Sequence, residues 1–275
     1  GSFKLDQSYF EYSTGLKMIS ERFSKLFGNK PRNPEKEKLT QFHMDIASSI
    51  QSVTEDVMLK ITNSLASEYN IKNLCLAGGV ALNCVANGKI LRNGKFENIW
   101  IQPAAGDAGG SLGAALALWH IELKKNRTIN SKDSMSGSYL GPEYSQDEVE
   151  KKLKELGANF EVLDNEQLIE KTALELSNGK AVGWFQGRME FGPRALGCRS
   201  ILGDPRSENM QKTLNLKVKF RESFRPFAPS VIREDLSTWF DLNCDSPYML
   251  LVSDVVKEKR RIMTEEEKAL FGIDK

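Results

Sequence analysis

Two glycine-rich segments of the sequence have the composition of phosphate-binding loops. Residues 78–83 and 103–110 each follow a short apolar run, and glycine leaves backbone N–H groups open to a ligand because it has no Cβ. A glycine pair can also make only a tight turn, and an aspartate in such a loop can be an N-cap. Because both segments repeat one arrangement, we favour a nucleotide site. Its expected contacts are Gly78, Gly79, Asn83, Gly106, Asp107 and Gly109, with Asp107 also able to hold a metal ion or a ribose.

Two later segments, residues 187–200 and 217–230, are rich in cations. One guanidinium group can bind two phosphate oxygens at once. The aromatic residues that lie between these cations in the sequence would exclude water and so strengthen such contacts. Residues 180–225 carry ten Lys or Arg against four Asp or Glu, a local excess of six positive charges. A solvated basic face is the alternative. The expected anion contacts are Arg188, Arg194, Arg199, Lys219, Arg221 and Arg225.

Two strand–helix units must position the glycine segments. Residues 73–77 are a predicted strand that passes through the first glycine segment into a helix ending near Asn93. Residues 98–101 are the next predicted strand, followed by a loop over 103–110 and a helix from Ser111 to about Lys125. Two such units in tandem predict a parallel sheet with ligands at the strand ends. Before them, the apolar spacing of Leu39, Phe42, Ile46, Ile50, Val53, Val57, Ile61 and Leu65 predicts a long helix with one buried stripe.

The second half of the chain alternates again and also predicts α/β structure. The pattern indicates helices over 145–156 and 166–177 and strands over 159–163 and 181–185. The polar run 126–141 lacks periodicity and is the predicted boundary between two domains, 1–130 and 131–275.

The overall composition narrows the range of partners and locations. The net charge of +1 gives no reason to expect a nucleic acid or a membrane as partner. The four cysteines lack CxxC spacing, and no apolar run reaches the roughly 18 residues of a membrane helix. We therefore expect a cytoplasmic protein. The two histidines, His43 and His120, have no metal-ligand spacing and are assigned no chemistry.

These segments resemble the nodulation-protein-type carbamoyltransferases, which O-carbamoylate sugars and antibiotic scaffolds. The resemblance covers nearly the whole chain. It is specific because several long motifs occur in the correct order. These motifs are Gly1–Asp6, Asp45–Gln51, the two glycine segments, the arginine-rich segment and Arg225–Ser230.

The resemblance implies an α/β fold in two parts. Residues 1–130 would be the second half of an actin-like ATPase (ribonuclease H-like) domain, similar to tRNA threonylcarbamoyl-transferring enzymes. Residues 131–275 would be part of a carbamoyltransferase C-terminal domain, similar to synthases that build carbamoyl adenylate. In such enzymes carbamoyl phosphate and ATP give carbamoyl adenylate, and the hydroxyl of a small-molecule acceptor then takes the carbamoyl group while AMP leaves.

The resemblance also implies roles for individual residues, although it identifies no catalytic residue. Gly78, Gly79 and Asn83 match the nucleotide loop of the family, and Asp107 matches the acidic ligand of its metal, normally iron. Arg188, Lys219 and Arg225 match carbamoyl phosphate contacts, and Arg194, Arg199 and Arg221 fall in the same motifs. Cys198 stands where asparagine is more usual. The family's histidine metal ligands and the usual end of its second domain have no counterpart, so we expect a truncated chain.

Two other functions remain open at this point. The glycine segments alone would permit a non-catalytic module of the actin-like superfamily that binds ATP or a phosphorylated metabolite. Similarity to tRNA-modifying enzymes also suggests RNA binding, but the near-neutral charge and the lack of a stacking motif argue against it.

Overall fold

The structure is a computed structural model in which residues 2–129 and 133–269 are described. The chain divides into two compact units, which are described separately below. Unit 1 comprises Gly1–Lys72, Lys89–Glu97 and Met263–Lys275, and unit 2 comprises Asn73–Gly88 and Asn98–Ile262.

The helices range from a single turn to one of 29 residues. The α-helices of the described chain are α1 (Glu21–Phe27), α2 (Gln41–Tyr69), α3 (Cys84–Arg92), α4 (Asp107–Ala117), α5 (Gln146–Glu155), α6 (Asn165–Ser177), α7 (Met210–Thr213), α8 (Leu236–Trp239) and α9 (Glu265–Ala269). None of the helices formed by residues 2–129 and 133–269 has the length and hydropathy that a bilayer span requires.

Two small sheets, both in unit 2, contain the named strands. The strands are β1 (Asn73–Leu76), β2 (Asn98–Ile101), β3 (Val182–Phe185) and β4 (Arg199–Leu202). Strands β1 and β2 are parallel, with Asn73 opposite Asn98 and Leu76 opposite Ile101. The predicted parallel pair is therefore confirmed. Strands β3 and β4 are antiparallel, with Val182 opposite Leu202. This mixture of helices and small sheets is compatible with the predicted α/β class.

Helix α2 of unit 1 confirms the predicted long helix but not its single buried stripe. Ile50 and Val53 are 62% and 56% exposed, whereas Glu55 and Thr62 are buried. Their polar groups have partners, because Glu55 forms an ion pair with Lys89 of α3 and the Thr62 hydroxyl donates to the Met58 carbonyl at 2.8 Å. The face that packs is thus set by the neighbouring helix rather than by apolar spacing alone.

The core of unit 2 joins segments that are far apart in the sequence. Buried residues of the two strand–helix units pack with residues from the middle and from the end of the unit. This cluster consists of Ala81, Ile101, Ala105, Met135, Tyr248 and Leu250, with Leu76, Leu82, Ile99, Leu112, Phe191, Leu196 and Leu251 packed against it. The glycine segments and the arginine-rich segment therefore share one core.

Three predicted elements differ from the structure. Residues 107–110, predicted as loop, form the first turn of α4. Residues 159–163, predicted as a strand, pair with no other strand of the described chain; Phe160 and Leu163 are half-buried and Val162 is exposed, which is not the alternation of a strand. Residues 199–202, for which no strand was predicted, form β4 because β3 offers a pairing edge.

The predicted domain division at 130/131 stays a prediction. Residues 130–132, where the predicted boundary falls, lie outside the described residues. On the far side of them, Met135 and Ser138 are buried within unit 2. Unit 2 takes residues from both of the predicted domains.

Candidate functional site

The two glycine segments meet at the carboxyl ends of the parallel strands. The N–H of Gly78 donates to the carbonyl of Ala105 at 2.9 Å, and the N–H of Gln102 donates to Leu76 at 3.0 Å. Gly78 has φ +96°, a conformation that side chains rarely adopt, so glycine is needed here for the turn itself. The bond from Gly78 to Ala105 holds the segments together as one surface, which we call the glycine loops (residues 78–83 and 103–110).

Gly109 is needed for packing rather than for ligand access. A Cβ at this position would lie 2.2 Å from the carbonyl oxygen of Ala104. Its N–H donates to the Gly106 carbonyl at 3.1 Å, within the first turn of α4. By contrast, a Cβ at Gly79 would meet no atom within 4 Å, so its backbone is open. Of these two predicted nucleotide contacts, Gly79 has the space for a ligand beside it.

Asparagines fix the first glycine loop to its surroundings. Asn83 accepts the N–H of Ala86 on its Oδ1 at 3.1 Å and so caps the start of α3. Asn87, which is fully buried, donates from Nδ2 to the carbonyls of Ala81 and Leu250 at 2.8 and 3.0 Å. No spacing in the sequence distinguishes Asn87 from other asparagines, so its role was not predicted.

A buried carboxylate organises the arginine-rich segment. Its 190–199 portion, which we call the arginine loop, winds around the fully buried side chain of Glu190. Oε1 accepts the backbone N–H groups of Leu196 and Cys198 at 2.8 Å each and that of Arg199 at 3.2 Å. Oε2 accepts Nε of Arg199 at 2.9 Å, and Nη2 of Arg199 donates to the Glu190 carbonyl at 2.9 Å.

These contacts keep Glu190 ionised. Burial raises the pKa of the carboxyl, but the hydrogen bonds from Arg199 and the loop amides outweigh burial and lower the pKa to about 2. Burial also raises the pKa of the Cys198 thiol, and the charge of Glu190 adds to the effect. The thiol therefore stays protonated and packs as an apolar group.

The arginine loop touches the glycine loops directly. Gly192 has φ +122°, and a Cβ there would lie 3.4 Å from both Cα of Ala104 and the carbonyl oxygen of Pro103. Two residues further on, Nη2 of Arg194 donates to the carbonyl of Leu82 at 3.3 Å. Nε of Arg194 is buried and has no hydrogen-bond partner in the described part of the chain.

Arg188 lies outside this contact, at the start of the arginine-rich segment. Its Nη1 donates to the carbonyl of Gly141 at 3.1 Å, and its Nε lies 3.4 Å from a carboxylate oxygen of Glu143. The side chain is 54% exposed and remains accessible to an anion.

A second loop, residues 219–225, carries the remaining predicted cations, and we call it the basic loop. Fully buried Asn215 holds it, donating to the carbonyls of Ser223 and Arg225 at 3.0 and 2.8 Å and accepting Nε of Arg221 at 2.6 Å. The guanidinium of Arg221 lies 4.9 Å from the ring centre of Phe227.

The exposed side chain of Lys219 and the outer face of Arg225 remain for a ligand. Nε of Arg225 pairs with Glu222 at 2.8 Å, and the arginine side chain is 53% exposed. Within residues 2–129 and 133–269, no hydrogen bond or ion pair links Lys219, Arg221 or Arg225 to the arginine loop. The predicted cations therefore fall into two groups.

Asp107 does not lie in a complete metal site. It is exposed at the first residue of α4. A metal ion of the expected kind needs about three protein donors. Across the described ranges 2–129 and 133–269, no group of three or more His, Cys, Asp or Glu side chains could hold one. The residues present thus do not fit the implied iron, and no chemical step is assigned to a metal.

Comparisons with known proteins agree with the motifs. The family models described as carbamoyltransferase N-terminus and carbamoyltransferase C-terminus match residues 1–116 and 173–268. An uncharacterized protein of Synechocystis sp. is 56% identical over the whole chain, which covers 45% of that protein. Nodulation protein NolNO of Sinorhizobium fredii is 41% identical over 82% of the chain and 33% of its own length. Nodulation protein NolO of Bradyrhizobium diazoefficiens is 39% identical over 82% of the chain and 41% of its own length.

The chain belongs to the carbamoyltransferase family, and the predicted resemblance to nodulation-protein-type members is confirmed. It spans less than half the length of these relatives.

Proposed function

We propose that this chain is part of an O-carbamoyltransferase. Carbamoyl phosphate and ATP would give carbamoyl adenylate with release of phosphate and pyrophosphate, and the carbamoyl group would then pass to a hydroxyl of a small-molecule acceptor in the cytoplasm while AMP leaves. The observation that carries the proposal is the contact between Arg194 and the carbonyl of Leu82 in the first glycine loop. It brings a guanidinium to the backbone of the first glycine loop, which supports a site for a phosphate-bearing substrate.

The chemistry requires charge neutralisation more than covalent catalysis. Forming and transferring a mixed anhydride builds negative charge on phosphate oxygens, which fixed guanidinium groups stabilise once water is excluded. The glycine loops would orient the nucleotide through Gly79 and its neighbours. Exposed Lys219 and Arg225 of the basic loop would bind carbamoyl phosphate, and Arg188 would be a further contact. The proposal also includes an actin-like fold for residues 1–130.

AMP formation separates an enzyme from a binding module. ATP would be incubated with and without carbamoyl phosphate, using this chain and the full-length Synechocystis relative in parallel. We expect the relative to release pyrophosphate, as the adenylate forms, and AMP, as water takes the carbamoyl group, only when carbamoyl phosphate is present. Binding of ATP by the relative with neither pyrophosphate nor AMP released under either condition would instead support the non-catalytic module.

Arg225 tests the carbamoyl phosphate part of the proposal. Arg225→Ala should weaken carbamoyl phosphate binding to the chain by about 1.5–3 kcal/mol, the contribution of a hydrogen bond to a charged group. Calorimetry would measure the dissociation constant. Arg233→Ala is the matched control, because Arg233 is similarly exposed, pairs with a carboxylate, Asp245, and is not one of the predicted contacts. Equal affinities in both variants would make Arg225 an ordinary surface charge.

A further inference from the structure

A buried donor without a partner lies where the arginine loop meets the glycine loops. Arg194 uses Nη2 to contact the Leu82 carbonyl, but its Nε is buried and has no hydrogen-bond partner among the described residues. A buried charged donor left unpaired is destabilising, and buried polar groups in proteins nearly always have a partner. A group that accepts hydrogen bonds would satisfy Nε here. A phosphate oxygen is such a group, and it complements the charge of the guanidinium.

The position of Arg194 is set from both ends of its loop. Glu190 binds the backbone N–H groups of Leu196 and Cys198 on one oxygen and the Arg199 side chain on the other. Between these anchors, the backbone at Gly192 packs against the turn at Ala104. The guanidinium of Arg194 is therefore presented by a closed loop whose shape depends on one carboxylate.

Arg199 has a different role from Arg194 in this arrangement. Its Nε and Nη2 are both occupied by Glu190. A guanidinium binds a phosphate best through two parallel donors, and Arg199 has already used two of its donors on Glu190. Its charge offsets the buried carboxylate, since a buried charge without a partner would be strongly destabilising.

We propose that Glu190 is a positioning residue that presents Arg194 to a phosphate group held at the glycine loops, and that Arg199 serves Glu190 rather than the ligand. This inference deepens the proposed function and rests on it in one respect, namely that a phosphate-bearing substrate binds this chain. ATP and carbamoyl phosphate share that chemistry.

Binding measurements on Arg194 variants test the ligand half of the proposal. Calorimetry would give dissociation constants of the chain for ATP, carbamoyl phosphate and inorganic phosphate. Arg194→Ala should weaken binding of the compound whose phosphate occupies the site by about tenfold or more, the loss of one charge-assisted hydrogen bond. Its melting temperature should change little, because the variant loses the hydrogen bond to Leu82 but also removes an unpaired buried donor.

Arg206→Ala is the matched control, because it removes the same charge from an exposed side chain that pairs with Asp204. Its affinities should equal those of the unmodified chain. If the unmodified chain binds none of the three compounds, this inference and the substrate binding of the proposed function both fail. If it binds them and Arg194→Ala binds them equally well, only this inference fails.

A double-variant comparison tests the positioning half. Glu190→Gln should weaken binding of the same ligand when it is made in the original chain. It should cause no further loss of affinity when Arg194 is already alanine. Its effect on the melting temperature should be the same in both backgrounds, because no hydrogen bond or ion pair joins the Glu190 and Arg194 side chains among the described residues. Arg199→Lys, a milder change at the same ion pair, should show this pattern if Glu190→Gln does not fold. An equal loss of affinity in both backgrounds would overturn the positioning role.

Discussion

Glu190 keeps its charge inside the protein, where its side chain has no exposed surface. The hydrogen bonds that hold its pKa at about 2 favour the folded state whenever the carboxyl is ionised. Because the folded pKa lies below the ordinary 4.5, this stabilisation is fully present above pH 4.5 and disappears as the pH falls through 2. The shift corresponds to roughly 3 kcal/mol of unfolding free energy.

Glu190→Gln should therefore change how the free energy of unfolding depends on pH. Above pH 4.5 we expect the free energy of unfolding of the variant to be about 3 kcal/mol lower than that of the original chain, because an amide cannot replace the charge-assisted contacts of the carboxylate. The difference should shrink as the pH falls from 4.5 towards 2, because the carboxyl of the original chain becomes protonated first in the unfolded state and then in the folded state. Urea unfolding of both proteins between pH 2 and 7 would measure it. A difference that does not change with pH would contradict the assignment.

The sequence predicted some residues of the candidate site better than others. The glycine and arginine contacts could be predicted because the missing Cβ and the guanidinium charge are properties of the residue type and do not depend on the fold. Glu190, Asn87 and Asn215 were missed, because a single acid or amide has no distinguishing spacing until burial gives it partners. Arg194 and Arg199 could not be separated by sequence either, since only the position of Glu190 distinguishes them.

Helix α4 shows how one element can contain glycines with opposite structural demands. Gly109 packs against the Ala104 carbonyl with no room for a Cβ, whereas a Cβ at Gly110 would meet no atom within 4 Å. Both residues lie within the helix. The sequence shows two adjacent glycines and cannot tell which one the packing requires.

Replacing Gly109 and Gly110 by alanine should therefore have opposite effects on stability. Gly109→Ala should destabilise the protein by about 1–3 kcal/mol, because the turn must move to accept the methyl group. Gly110→Ala should stabilise it by about 0.4–1 kcal/mol, since alanine lowers the conformational entropy of the unfolded chain. Chemical denaturation of the two variants would compare them. Destabilisation of similar size in both would show that the Ala104 contact does not distinguish the two positions.

Regular elements followed from the sequence wherever periodicity was clear. Strands β1 and β2 and helices α5 and α6 lie within one or two residues of their predicted positions, because apolar spacing and capping residues mark them locally. The strand predicted over 159–163 was wrong, since pairing depends on a neighbour that a local pattern does not contain. Strand β4 was missed for the same reason.

At the scale of the whole chain, unit 2 is held together by contacts between distant residues. Asn87 binds the carbonyl of Leu250, and the Tyr248 hydroxyl donates to Asp133 while accepting the N–H of Gly137 at 3.1 Å. Burial, together with the bond to Asp133, raises the pKa of Tyr248 to about 12. No periodicity or motif could have predicted these pairings, because they depend on how the whole unit closes.

The number of metal ligands available to the whole chain leads to the last prediction. Iron or a similar ion needs about three protein donors, and Asp107 has no such set around it within residues 2–129 and 133–269. We expect the 275-residue chain to fold, because both strand–helix units contribute buried residues to the core of unit 2. It should nevertheless retain far less than one equivalent of iron and transfer no carbamoyl group to an acceptor.

Metal analysis after anaerobic incubation with ferrous iron and desalting would measure retention, with circular dichroism as the check on folding. Asp107→Asn is the matched variant, because it removes the carboxylate charge and keeps the shape of the side chain. Both proteins should retain equally little iron. Stoichiometric iron in the original chain that is lost in Asp107→Asn would show a complete site around Asp107, and the prediction would then be wrong.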